Sequence, residues 1–303
     1  MDRQWDVVVV GAGAAGLSAA REAAAAGLSC ACIDPLGAGG LVMNLGPVRD
    51  CPEAAAAATG ADLAASLMEE AMEAGAELVF GEVSALTVAH GSGGMRWRVR
   101  TDGEEHGARA VIVATGLSAG SLGIADEARF AGRGLSHCAA CDGPLFAGES
   151  VVVAGDDRWT VAEAEELARV AGRVTLVGDR AALGPAAERL AAAGRIAFVP
   201  GRIVGLAGEG GLEQVSVAAD GEVRAIDAAG LFAYLGRRPA LDFAAGQLPR
   251  DGADRIVVDE ADMACVPFLF AAGDVRAGSP ETVSAAIADG RRAGRAAAST
   301  LSR

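Results

Sequence analysis

An α/β architecture of two three-layer nucleotide-binding domains is what this sequence predicts, on three observations. A β-branched run at residues 7–10 opens directly into a glycine-rich turn and an alanine-rich helix. A similar strand, helix and strand unit repeats loosely from residue 151. The composition, 51% hydrophobic and 22% charged over 303 residues, is that of a globular chain long enough for two filled cores.

In order along the chain, residues 7–10 read as a strand, 17–26 as a helix stopped by Gly27, and 28–33 as a second strand ending at Asp34, which together make a βαβ unit. Residues 62–74 have amphipathic helical spacing, 77–88 and 96–101 read as strands around a glycine-rich turn, and 110–114 as a buried strand. The second unit takes its strand from 151–154, its helix from 160–170 and its next strand from 173–177. Strand-like runs at 196–199, 214–217 and 231–235 lead to Arg238-Pro239, where a hinge or crossover is expected. A strand at 268–272, a turn at Gly273-Asp274 and a helix from about Pro280 follow, with Ser279 as its expected N-cap. The expected organisation is one discontinuous domain, 1–116 with 240–303, into which 117–239 is inserted.

Charge narrows the function classes. With 40 acidic against 26 basic residues and a formal charge of -14, the field repels nucleic acid and anionic membrane. Residues 7–20 superficially copy a signal-peptide core, but Asp2 and Asp6 precede them and the glycines have a better use. No apolar run reaches the roughly 18 to 20 residues that a membrane span requires, so a cytoplasmic protein is expected.

Gly11, Gly13 and Gly16 form G-x-G-x-x-G between the first strand and its helix, and Asp34 closes the next strand. In that context the glycines permit a tight turn and close approach of a pyrophosphate, the helix N-terminus offers N–H groups, and Asp34 can hold a ribose hydroxyl. These are the marks of a Rossmann-like adenine-dinucleotide site. Ala114-Thr115-Gly116 at a strand end and the run from Phe270 to Gly273-Asp274 favour FAD over NAD there. The helix after Pro280 is expected to offer its N-terminus to negative charge on a reduced flavin.

Six cysteines are too sparse for a disulfide scaffold, and Cys138 and Cys141 alone have the C-x-x-C spacing. A separation of three on a tight or first helical turn lets the sulfurs close a bond that is easily reduced and reformed. A helix N-terminus there would lower the thiol pKa, and Asp142 is placed to shuttle a proton. As half of a zinc site the pair would need two more ligands; Cys30 and Cys32 lie on a strand whose alternate side chains face opposite ways. Cys51 reads as a small core residue, with a place beside the flavin ring as the alternative.

The stretch 132–146, with Cys138-Ala139-Ala140-Cys141-Asp142-Gly143-Pro144 at its centre, resembles the redox segment of the low-molecular-weight thioredoxin reductases. The resemblance covers nearly the whole chain and includes the opening glycine motif, Val113-Ala114-Thr115-Gly116, Leu235-Gly236-Arg237-Arg238-Pro239 and Ala272-Gly273-Asp274-Val275-Arg276. It implies an FAD domain built from both chain ends, an inserted NAD(P)H-binding-like domain carrying the cysteine pair, a homodimer, and a domain rotation that presents the disulfide alternately to flavin and to thioredoxin. Cys141 would then face the flavin, Cys138 would attack the partner, and Asp142 would be the acid/base. The resemblance extends the flavin site to Ala14, Ala15, Gly40, Asp50, Glu281, Thr282 and Val283.

The sequence departs from that family at its nicotinamide motifs. Ala154-Gly155-Asp156-Asp157-Arg158-Trp159-Thr160 keeps one glycine and sets two carboxylates where a pyrophosphate should dock, each like-charge contact costing on the order of 1 kcal/mol or more. After the next strand only Arg180 remains of a basic cluster, beside Asp179, which could instead accept the ribose of NADH. Losing several charged hydrogen bonds at roughly 1.5 to 3 kcal/mol each makes NADPH a doubtful cofactor. Leu41, Asp50 and Glu281-Thr282 also replace the family's usual residues. The expected function is therefore FAD-dependent thiol–disulfide exchange, with ferredoxin or another flavin as donor and a thioredoxin-like protein or small disulfide as acceptor. Two alternatives stand beside it: an oxygen-dependent dithiol oxidase that closes a disulfide in a small molecule or natural product, and a flavin-binding regulatory protein with a vestigial redox centre. Asp142, where such oxidases commonly carry histidine, favours the first.

Overall fold

The computed structural model describes residues 3–45, 48, 51, 59–89, 96–118, 120–244, 246, 248–260, 262–264 and 266–302. The chain divides into two compact units, residues 1–118 with 239–303, and residues 119–238. The expected contact residue Asp50 lies outside the described residues, as does Cys265.

Up to the first crossing the chain forms β1 (Arg3–Val10), α1 (Ala14–Ala25), β2 (Cys30–Asp34), α2 (Gly60–Glu73), β3 (Glu77–Phe80), β4 (Ala85–Val88), β5 (Trp97–Arg100), β6 (Glu105–Val113) and β7 (Leu117–Ser118). The middle of the chain adds β8 (Leu135–Ser136), α3 (Ala139–Asp142), β9 (Ser150–Gly155), α4 (Arg158–Leu167), β10 (Arg173–Gly178), α5 (Arg180–Ala192), β11 (Ala197–Pro200), β12 (Arg202–Ala207), β13 (Gln214–Ala219), β14 (Glu222–Asp227) and β15 (Gly230–Tyr234). The chain returns through β16 (Arg238–Pro239) to β17 (Leu269–Ala271) and α6 (Val283–Leu301).

The sheet of the first unit has the order β3-β2-β1-β6-β5-β4, with β17 also on β6. β1 lies parallel to both β2 and β6, the arrangement that buries a strand on both faces and explains why residues 7–10 are apolar without alternation. Val7 and Val9 enter the core under α1, α2 and α6, whereas Val8 and Val10 enter the opposite core with Trp97, Val99 and Leu269. Helices α1 and α6 pack through small residues: a Cβ on Gly290 would stand 2.0 Å from the Ala15 carbonyl oxygen, and one on Gly294 2.5 Å from that of Ala19.

The second unit has a parallel sheet, β11-β10-β9-β15-β8, covered on one side by helices and on the other by the antiparallel meander β12-β13-β14. Val151 and Val153 face α4 and α5, and Val152 and Ala154 face the meander. Both units are thus α/β with parallel strands of Rossmann type, as expected, the first also carrying β5 and β4 antiparallel at one edge.

Three expectations need correction. The strand expected at 77–88 is two strands at opposite edges of the sheet, because Gly81 donates to the Asp34 carbonyl and ends one, while Ser84 donates to Arg100 and starts the other. The last helix starts at Val283 with Thr282 as its cap, accepting from the Ala285 N–H at 3.3 Å. It cannot begin at Pro280, because Glu281 has φ +55, outside the helical region, so the Ser279 hydroxyl, which accepts from the Glu281 N–H at 3.2 Å and donates to Asp274, closes a local turn and caps no helix. The strands β12 and β14, half-exposed and interrupted by glycine and charge, are additions to what the pattern announced. Among the described residues no helix is long and apolar enough to cross a membrane, and no group of histidine, cysteine and carboxylate side chains could hold a metal ion.

Candidate redox and nucleotide sites

In the first unit the turn after β1 is shaped by what its glycines lack. Gly11 has φ +99, and a Cβ there would stand 2.6 Å from the Ala114 carbonyl oxygen; one on Gly16 would stand 1.8 Å from that of Gly11. Helix α1 is therefore seated directly on the strand ends. Its N-cap, Gly13, makes no side-chain cap bond, so the N–H groups of the first turn stay available. Asp34 accepts from the Ala12 N–H and from the Leu36 N–H, both at 2.9 Å, which fixes its carboxylate beside the turn. Gly39 donates to the Ala12 carbonyl at 2.7 Å, and Gly40 lies over Gly13, where a Cβ would come within 3.1 Å of the Gly13 Cα.

Ala114 donates to Val10 at 2.8 Å, which brings Thr115 and Gly116 to the same end of the sheet; the Thr115 hydroxyl oxygen is buried with no partner. Gly273, at φ +76, approaches α1 so closely that a Cβ would be 2.8 Å from that of Ala15. The structure thus gathers Gly11, Gly13, Ala14, Ala15, Gly16, Asp34, Gly40, Ala114, Thr115, Gly116 and Gly273 around one uncapped helix end. An open glycine cradle, free helix N–H groups and an orphaned hydroxyl fit the phosphates and ribose of a dinucleotide such as FAD. The remaining expected contacts are engaged internally: Asp274 accepts from Ser279 at 2.8 Å, Glu281 pairs with Arg255 at 2.5 Å, Thr282 caps α6 and Val283 is buried.

In the second unit Cys138 and Cys141 are joined by a disulfide, with Cα atoms 5.3 Å apart. Cys138 caps the one-turn helix α3, its Sγ accepting from the Cys141 N–H at 3.0 Å. The Ser136 hydroxyl donates to Asp142 at 2.6 Å and accepts from the Cys138 N–H at 3.1 Å, joining the proposed acid/base to the backbone of the pair. Beneath the turn, the Ala139 N–H is shared between the Tyr234 hydroxyl at 3.0 Å and Glu163 Oε2 at 3.3 Å, and Tyr234 itself donates to Glu163 at 2.9 Å. Burial pushes the Glu163 carboxyl above its usual range and the Tyr234 phenol far above its own, so Tyr234 remains a donor.

Sequence reasoning missed Ser136, Glu163 and Tyr234. A carboxylate on the apolar face of α4 and the chain's single tyrosine, closing a buried strand, were the available signals.

The turn after β9 differs from its counterpart after β1. Asp157 caps α4, accepting from both the N–H and the hydroxyl of Thr160 at 2.8 Å, and its other oxygen pairs with Arg237 at 2.8 Å. The reading of two opposed carboxylates is thereby refined: Asp157 is a neutralised cap, and Asp156 is exposed. The Thr160 hydroxyl fills the space over Gly155, where a Cβ would be 2.0 Å from it. Asp179 caps α5 through the N–H groups of Ala181 and Ala182, and Arg180 pairs with Glu188. A cavity of about 680 Å³ at these strand ends is lined by Asp156, Asp179 and Asp220 against Arg180 and Arg202.

Residues 5–290 match the family model for pyridine nucleotide-disulphide oxidoreductases. A thioredoxin reductase of Treponema pallidum is 34% identical, over 99% of this chain and 98% of its own. Among solved structures, thioredoxin reductase of Lactococcus lactis in its FR conformation superposes with a TM-score of 0.89 at 27% identity, covering 98% of this chain and 99% of its own. That of T. acidophilum gives 0.83 at 28% identity, over the same shares of the two chains.

Proposed function

Since this chain belongs to the pyridine nucleotide-disulphide oxidoreductase family, as a thioredoxin reductase-like flavoprotein acting on sulfur groups, we propose that it passes electrons between flavin and the Cys138–Cys141 pair without NADPH as donor. Ferredoxin or another flavin supplies the electrons, and a thioredoxin-like protein or a small disulfide receives them. The unit formed by both chain ends is the FAD domain, and the inserted unit carries the cysteine pair.

The observation that carries this reading is the capped start of α4. The Asp157 side chain stands over the first turn of α4, taking the Thr160 N–H where a pyrophosphate would have to dock, and exposed Asp156 adds negative charge beside it, whereas the corresponding N-cap of α1 is a glycine. Asp179 closes α5 in the same way, and Arg180 is already paired.

Bound FAD would supply two-electron chemistry at the isoalloxazine. The N–H groups at the start of α1 would hold its phosphates, Asp34 would accept from a ribose hydroxyl, and the unpartnered Thr115 hydroxyl would be free to donate to it. Asp142, oriented by Ser136, takes and returns the proton as the disulfide opens and closes.

Anaerobic titration of the purified flavoprotein tests this. Bleaching of the flavin absorbance by dithiothreitol, restored by a disulfide acceptor and absent with micromolar NADPH, supports the reading. Rapid bleaching by micromolar NADPH overturns it. Turnover of a dithiol by air alone, with the disulfide as product, transfers the assignment to an oxidase.

A further inference from the structure

Glu163 and Tyr234 stand 71 residues apart in sequence and meet on one backbone N–H, that of Ala139 inside the C-x-x-C turn. Glu163 is 8% exposed, which for a carboxylate requires a compensating role or a cost. Its hydrogen-bond donors are the Tyr234 hydroxyl and the Ala139 N–H, and both belong to the redox turn or to the strand beneath it. The other charges in its surroundings are Arg237, on the segment after β15, and Glu166, one turn on along α4; Arg237 is itself drawn to Asp157 at 2.8 Å. Among the carboxylates of this unit, Glu163 is the buried one, and it lies against the residue that follows Cys138.

Resting on the reading of Cys138–Cys141 as the redox pair, we propose that Glu163 is a positioning residue of that pair: with Tyr234 it fixes the Ala139 N–H, and its buried negative charge holds back thiolate formation on Cys138. The chemistry follows from charge alone. A thiol ionises less readily beside a carboxylate in a poorly screened site, and a pair whose thiolates are disfavoured has a less stable reduced form. Such a pair is the stronger reductant, so the arrangement favours delivery of electrons to an external disulfide over their withdrawal from an external dithiol. Burial, which pushes the Glu163 carboxyl upward, and the two donors, which draw it back, are the opposing influences on how much of that charge is present.

The test isolates Cys138 in the full-length chain by Cys141→Ser and reads its iodoacetamide alkylation rate against pH, peptide by peptide. Glu163→Gln retains both hydrogen-bond contacts and removes the charge. It should lower the ionisation midpoint of Cys138 by about one pH unit, giving about tenfold faster alkylation below the midpoint. Glu163→Asp keeps the charge and should stay with the parent. If the Gln variant does not fold, Glu163→Asn against Glu163→Asp gives the same comparison. A purely structural role would leave the Gln profile superimposed on the parent, and that result overturns the proposal. The redox reading fails separately, if dithiothreitol does not open the Cys138–Cys141 bond of the parent chain with both cysteines present.

Discussion

Ser136 links Asp142 to the cysteine pair, since one hydroxyl donates to Asp142 and accepts from the backbone of Cys138. Ser136→Ala leaves the Cys138 N–H without its acceptor and Asp142 without its orienting donor, at a cost of about 1 to 3 kcal/mol for the unmet group. The rate of flavin bleaching by dithiothreitol is expected to fall about tenfold in that variant, and about 100-fold or more in Asp142→Asn, which removes the proposed proton acceptor. Stopped-flow absorbance checks both, and an Asp142→Asn variant as fast as the parent would remove Asp142 from the chemistry. A different residue sets an acid limit on stability. His106 on β6 is fully buried, its Nδ1 accepting from the Trp5 indole at 3.4 Å, and burial holds its pKa below the usual value, with Glu104 opposing. The unfolded chain takes its proton near pH 6.5, whereas the folded chain takes it only at lower pH. The stabilisation is therefore complete above about pH 6.5 and is lost as pH falls from there through the folded value. Urea midpoints of the parent should drop by the equivalent of about 1 kcal/mol between about pH 6.5 and 5, and those of His106→Asn should be flatter over that window.

Helices α1 and α6 show how one element sets another. They approach closely enough that Gly290 has no room for a methyl group against Ala15, and Ala15 in turn lies against the Gly273 turn of the candidate nucleotide site. Gly290→Ala must push the helices apart, at about 1 to 3 kcal/mol or more. The expected result is a lower melting temperature together with weaker FAD retention on a desalting column; loss of stability with FAD fully retained would show that the contact does not support the site. Much at this scale was legible. The βαβ unit at the N-terminus could be read because the apolar run, the glycines and Asp34 follow one another within 34 residues, and each has a local physical reason. The start of α6 was misread because Ser279-Pro280 makes a good local start signal, while the left-handed Glu281 and its pairing with Arg255 depend on a contact 26 residues away. Asp157 was read as a repelling charge because a helix cap and its cation, Arg237, are invisible as a pair in sequence. The pairing of Glu163 with Tyr234 was illegible for the same reason, as each gave only a single local signal and they meet only in the fold.

For the molecule as a whole, the formal charge of -14 is the property that governs encounter with protein partners. Small acceptors and protein acceptors can be told apart on that ground. A neutral small disulfide reaches Cys138–Cys141 without feeling the field, whereas an acidic thioredoxin-like protein is repelled over a Debye length of about 30 Å at 0.01 M salt and about 10 Å at 0.1 M. If the protein acceptor docks against the general surface charge, kcat/KM for it should rise several-fold between those salt concentrations, while turnover of hydroxyethyl disulfide stays constant. Steady-state rates at fixed pH, with electrons supplied by a chemically reduced flavin, measure both in one series. A rate with the acidic protein that falls as salt is added would mean that arginines near the redox turn form a local basic face strong enough to reverse the global field, and would direct the search for that face to the inserted unit. A rate indifferent to salt for both acceptors would place the natural substrate among small uncharged disulfides, for which a surface of this charge carries no penalty.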